Sequence, residues 1–156
     1  MANVRLKGIG LNRFGGVNSE GNVTTYRATL ATNATGAALN SSSTSALGIG
    51  DVVTLASLPA GMLLEDAQLI VSTAMTAAVT GSLGFLYADG VDSATVPQDA
   101  AYFGTGLVLN AAGRVRTTSS KAPVVLEKEA NLVLTLAGAA NVKASRVDFC
   151  VRGERL

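Results

Sequence analysis

The chain has 156 residues, one cysteine, no histidine, no tryptophan and a formal net charge of +1. That length is enough for one domain burying roughly two thirds of its unfolded surface, and the lone Cys150 excludes an internal disulfide framework. Without histidine there is no usual general base at neutral pH, no imidazole metal ligand and no common partner for a nucleophilic serine or cysteine.

The near-zero total hides a segregation of charge. Residues 1–50 sum to +3, residues 51–100 to −6 with no Lys or Arg at all, and residues 101–156 to +4. Such blocks favour packing between oppositely charged surfaces, of copies or of a charged partner, although scattered surface loops give the same sums. Residues 1–20 are basic and Gly/Asn-rich, with isolated apolar positions Val4, Leu6, Ile9, Leu11 and Phe14 and no apolar stretch of the secretory-signal kind. They lack a strand or helix period. We read them as an extended arm that packs on a neighbour; an edge strand followed by a loop is the alternative.

Residues 21–156 read as one β domain. Asn22–Ala31 alternates Thr24, Tyr26, Ala28 and Leu30 with Val23, Thr25, Arg27 and Thr29, a half-buried strand. From residue 32 to 50 the chain has no charge and no steady period, which marks either a functional loop or a flexible crossing between sheets. Strand character resumes over Asp51–Leu58 and turns at Pro59-Ala60-Gly61. Leu63–Thr73 follows with Ala67, Leu69 and Val71 on one face. Thr80–Tyr87, uncharged on both faces, is expected to be a central strand, paired as a hairpin with Leu63–Thr73 across a connection at 74–79. Residues 67–88 carry no charge, but Gln68, Ser72, Thr73, Thr76, Gly81 and Gly84 interrupt them, so a buried strand pair accounts for them better than a membrane span.

After Asp89-Gly90 come a polar loop, a strand over Tyr102–Leu109, a turn at 110–113 and a basic segment with Arg114, Arg116 and Lys121. Three more strands are expected at Ala122–Leu126, Asn131–Ala137 and Ser145–Arg152. The last places Val147, Phe149 and Val151 opposite Asp148, Cys150 and Arg152. About eight strands with turns every 8 to 12 residues predict an all-β fold, an antiparallel two-sheet β-sandwich or jelly roll.

None of the chemistry-bearing residues forms a convincing catalytic or metal motif. Asp89, Asp92 and Asp99 lack the bidentate Glu of a calcium loop. Glu65 with Asp66, and Glu127 with Glu129, are local pairs, and Glu127 and Glu129 placed in a strand share one face, so they read as surface charge rather than as glycosidase carboxylates. Gly8-Ile9-Gly10 and Gly48-Ile49-Gly50 lack a phosphate-loop context. Arg114, Arg116 and Lys121 have too few aromatic neighbours to suggest a nucleic-acid groove. Cys150 reads as a structural thiol. The expectation is therefore no enzyme, no cofactor, no metal, no small-molecule substrate, no nucleic-acid partner and no membrane. A carbohydrate-binding sandwich would display aromatic platforms, and Tyr26, Tyr87 and Tyr102 are the only tyrosines.

The order Asp51, Leu55, Leu58-Pro59-Ala60-Gly61, Leu63 through Ala67 to Thr73, then Gly84, Asp99-Ala100-Ala101-Tyr102-Phe103 and Ala111-Ala112-Gly113, resembles small virion proteins of tailed bacteriophages. The likeness spans roughly residues 51–152. It implies a jelly-roll cement or decoration protein on the capsid exterior, with the major capsid protein and its own copies, as a homodimer or homotrimer, for partners. On that resemblance the arm residues Val4, Arg5, Leu6, Lys7, Leu11, Arg13 and Phe14 are the candidate capsid contacts, together with the uncharged loop 32–50, either of which can be the main one. A tail or baseplate adaptor of a phage virion is the alternative.

Overall fold

The computed structural model describes residues 1–5, 23–117 and 119–155. They build ten strands: β1 (Asn3–Arg5), β2 (Val23–Thr32), β3 (Val52–Leu58), β4 (Met62–Thr73), β5 (Thr80–Tyr87), β6 (Asp99–Val108), β7 (Gly113–Arg116), β8 (Val124–Val125), β9 (Ala130–Ala137) and β10 (Ser145–Arg155). Among the described residues there is no helix, and so none long and apolar enough to cross a membrane. One sheet runs β1-β3-β9-β5-β6 and the other β2-β10-β4-β7, with β8 also on the β4 edge. With the short β1 and β8 set aside, the remaining strands renumbered along the chain lie in the orders 1-8-3-6 and 2-7-4-5. This is the double Greek key of a jelly roll, as the strand spacing predicts.

Alternation decides which side chains meet between the sheets. Leu64, Ala67, Leu69 and Val71 of β4 and Val147, Phe149 and Val151 of β10 share one core with Leu83 and Phe85 of β5 and with Leu132, Leu134 and Leu136 of β9. Each large apolar side chain removed from water contributes about 1.5–3 kcal/mol. The aromatic side chains cluster edge to face, Phe85 against Tyr102 at 5.5 Å and Tyr102 against Phe103 at 4.9 Å between ring centroids. The Tyr102 hydroxyl then crosses the sandwich to the carbonyls of Leu64 (3.2 Å) and Ala122 (2.9 Å).

The expected hairpin is corrected. β5 is central, between β9 and β6, but β4 lies in the opposite sheet, flanked by β10 and by β7 with β8. The two strands face each other across the core instead of sharing hydrogen bonds. The physical reason lies in the connection 74–79, which buries Met75 and Val79 and bonds to Leu109 at both ends (Met75 N–H to Leu109 C=O, 2.9 Å; Leu109 N–H to Val79 C=O, 3.3 Å). A segment anchored inside the core carries the chain from one layer to the other.

Three smaller differences follow from local chemistry. The basic segment after residue 113 is strand β7, held on β4 by backbone pairing from Val71↔Gly113 to Gln68↔Arg116. Glu127 and Glu129 sit in the connection between β8 and β9 rather than on a strand, and Glu129 accepts the Ser57 hydroxyl proton at 2.6 Å. The first residues form a short edge strand: β1 runs parallel to β3 (Val4↔Val53), and the Val4 side chain is buried in the domain's own core.

Candidate interaction surfaces

Four connections, 33–51, 74–79, 109–112 and 138–144, gather at one end of the sandwich. Their only charged residues are Asp51, which is buried, and Lys143. The long segment after β2 is neither patternless nor loose. Asn33 Oδ1 accepts the N–H groups of Thr35 and Ala37, each at 3.0 Å, and the Thr35 hydroxyl at 2.8 Å, closing an Asx-type turn. Ala37, Ala38 and Leu47 are buried. Leu47 N–H donates to Gly36 C=O (3.1 Å), and Gly50 N–H donates to Leu136 C=O (2.8 Å).

Asn141 locks these loops to one another. Fully buried, it accepts the Thr76 N–H at 3.1 Å through Oδ1 and donates through Nδ2 to Thr32 Oγ1 (3.0 Å) and Lys143 C=O (2.9 Å). Its own N–H donates to Leu47 C=O at 2.8 Å. Gly36, at φ +85°, lies so close that a Cβ there would come within 1.9 Å of the Asn141 carbonyl oxygen. On this rigid base sit Leu39, Ile49 and Val142, exposed by 47%, 61% and 60%. A stiff, almost uncharged surface with apolar side chains held outward can dock another protein with little ordering entropy.

The outer face of the β2-β10-β4-β7 sheet is charged instead. Arg116 pairs with Asp66 (2.9 Å) and Arg146 with Asp148 (3.1 Å). A shallow open cleft of ≈ 260 Å³ lies there, lined by polar groups including Gln68, Arg116, Cys150 and Arg152. The Arg146 guanidinium, with help from the Thr29 hydroxyl at 2.6 Å, holds the Asp148 carboxyl below the usual carboxylate range. At the far end of the sandwich the acidic loop is occupied internally. Asp89 pairs with Lys128 (2.9 Å), Asp99 with Lys121, and Asp92 accepts the N–H groups of Ser93 and Gln98. Among the described residues no cluster of acidic or cysteine side chains could hold a metal ion.

Of the residues predicted to contact a partner, Val4 points into its own core and Arg5 lies in β1 beside Thr54. Leu6, Lys7, Leu11, Arg13 and Phe14 lie outside the described residues. The root of this segment is anchored, because Ala2 N–H donates to Asp51 Oδ1 at 2.8 Å and Val52 N–H donates to Ala2 C=O at 3.3 Å. Residue patterning marked one part of the loop-end surface, the uncharged segment 32–50, and missed the other three connections that join it. Its signals are the Asn33-Ala-Thr-Gly turn and a near absence of charge shared by four separate connections.

No family model matches this chain, and no curated protein does. Solved structures match its fold. A chain of the capsid of Ralstonia phage GP4 superposes with a TM-score of 0.67 at 17% identity, over 99% of each chain. A chain of the cyanophage Pam1 capsid asymmetric unit gives 0.58 at 16% identity over 92% of each. A chain of the acid-stable capsid of Helicobacter pylori bacteriophage KHP30 gives 0.51 at 15% identity, over 85% of this chain and 89% of that one.

Proposed function

We propose that this chain is a structural virion protein that binds the outer surface of a tailed-phage capsid and cements neighbouring major capsid protein subunits. The observation that carries the reading is the likeness over 99% of both chains to a chain from a phage capsid structure. A cement protein needs a stiff scaffold with outward adhesive surfaces and no chemistry of its own. The jelly roll supplies the scaffold, and the uncharged loop end supplies one such surface. Residues 6–20, with Leu6, Lys7, Leu11, Arg13 and Phe14, supply the other as an arm that starts where β1 ends. Weak contacts at each surface become strong when one molecule touches several lattice subunits at once.

The test is to add the purified protein to capsids that lack it and image the particles by electron microscopy. Regular density over the whole exterior lattice is the expected result. Density confined to the tail would assign the protein to a tail or baseplate adaptor, and no density would overturn virion binding. Deleting residues 1–16 would confuse binding with folding, because it removes the buried Val4. The informative variant replaces Leu6, Lys7, Leu11, Arg13 and Phe14 with Gly and Ser while keeping residues 1–5, and it is expected to fold normally and decorate poorly.

A further inference from the structure

A sandwich has sheet edges, and among the described residues three of the four are blunted. β1 is three residues long, and β7 and β8 are four and two residues long with arginines on β7. β6 is broken by two register shifts against β5 and by positive φ at Gly104 and Gly106. Short strands, charges and bulges are the devices that keep edges from pairing with other chains. β2 has none of them. It is ten residues long, pairs with β10 without a register shift, holds no Gly or Pro, and carries one charge, Arg27.

The edge has a defined set of open groups. The Ala31 C=O accepts the Leu39 N–H at 2.8 Å from the side away from β10, next to the Thr32↔Ala38 bridge. Backbone groups alternate between the two edges of a strand, so Val23, Thr25, Arg27 and Thr29 also present N–H and C=O outward, without partners among the described residues.

We propose that β2 pairs antiparallel with β2 of a second copy across a twofold axis at Tyr26, joining the two charged sheets into one. The register is fixed by what must be paired. Centred on Tyr26, Thr25 faces Arg27 and Val23 faces Thr29, so all four open positions are used in both copies. Centring on Thr25 sets Thr29 opposite residue 21, outside the described strand. Centring on Arg27 leaves Val23 unpaired and sets two arginines opposite each other, which is destabilising. The Tyr26 register also brings the two half-buried Tyr26 rings together at a non-hydrogen-bonded pair, where side chains approach most closely. An isologous twofold contact of this kind is the commonest form of homo-oligomer.

Sedimentation velocity on the isolated full chain at micromolar concentration should give a dimer. Thr25→Pro removes an outward N–H and no bond to β10, and should give a monomer with an unchanged far-ultraviolet circular dichroism spectrum. If that variant misfolds, cross-linking decides. Tyr26→Cys in a Cys150→Ser background should oxidise to a covalent dimer, since directly opposed Cα atoms about 4.5 Å apart lie within disulfide range. Thr24→Cys, which faces Ala28 in this register, should cross-link far less. A monomer or trimer in sedimentation, or a Tyr26→Cys variant that stays uncross-linked, overturns the proposal. The pairing stands apart from capsid binding: a dimer that ignores capsids refutes only the function, and a monomer that decorates them refutes only the β2 contact.

Discussion

Asn141 Oδ1 accepts the Thr76 backbone N–H at 3.1 Å from a position with no solvent exposure, tying the β9–β10 connection to the β4–β5 connection. The same side chain reaches Thr32 at the end of β2, so one amide joins two connections to a strand end where the apolar surface is displayed. Removing it strands buried donors and acceptors, each worth about 1–3 kcal/mol when left unpaired. Asn141→Ala should therefore lower unfolding free energy in urea by about 2–3 kcal/mol. Amide hydrogen exchange should rise first over residues 33–51.

Gly84 tests the close approach of β6. A Cβ there would come within 2.0 Å of the Asp99 carbonyl oxygen, with the backbone of Ala100 and Ala101 also inside contact distance. Because backbone must move to admit a methyl group, Gly84→Ala should destabilise by at least about 1–3 kcal/mol, the range for overpacking. Gly90, at φ +71°, has nothing within 4 Å, so Gly90→Ala should show only the smaller backbone cost, about 1 kcal/mol. Thermal unfolding of the two variants side by side checks the order.

The sequence patterns that survived are those set by one strand alone. Val147, Phe149 and Val151 alternate cleanly because one face of β10 meets the core and the other meets water. Thr80–Tyr87 is uncharged on both faces because β5 is central. What could not be read depends on partners distant in sequence. A six-residue link is compatible with pairing inside a sheet or with crossing between sheets, and burial of Met75 and Val79 decides it. β7 is hidden by its arginines, since its strand character comes from β4 beside it. The loop end is organised by Asn141 acting on Thr32 and Thr76, and no local period encodes that contact.

The N-terminal strand is a small unit whose removal can be measured. Val4 is buried, and Asp51 accepts both the Ala2 N–H and, at 2.8 Å, the Gly48 N–H. Asp51→Ala should cost about 1–3 kcal/mol by leaving those donors unpaired, and should raise hydrogen exchange at Val52, whose N–H pairs with Ala2. Lys128→Ala at the opposite end is the control; its pairing with Asp89 is a surface contact, and it should leave exchange at Val52 unchanged.

The Arg146–Asp148 pair predicts the direction of an acid response. The Asp148 carboxyl is held below its ordinary value, first by the hydrogen bond from Arg146 and further by Thr29, against a partial desolvation that acts the other way. A carboxyl whose folded value is depressed binds a proton less readily than in the unfolded chain. Its contribution is therefore complete above the ordinary carboxylate pKa near 4 and is lost as pH falls through the lowered folded value. The pair is partly solvent-exposed, so screening keeps the effect small. Asp148→Asn should lose that small contribution at pH 7 and differ less and less from the parent as pH falls below about 4, which flattens the acid limb of its stability. In Arg146→Gln the Asp148 side-chain carbon resonance should titrate at a higher pH than in the parent. An unchanged Asp148 titration in that variant would show that Thr29, rather than the guanidinium, holds the carboxylate ionised.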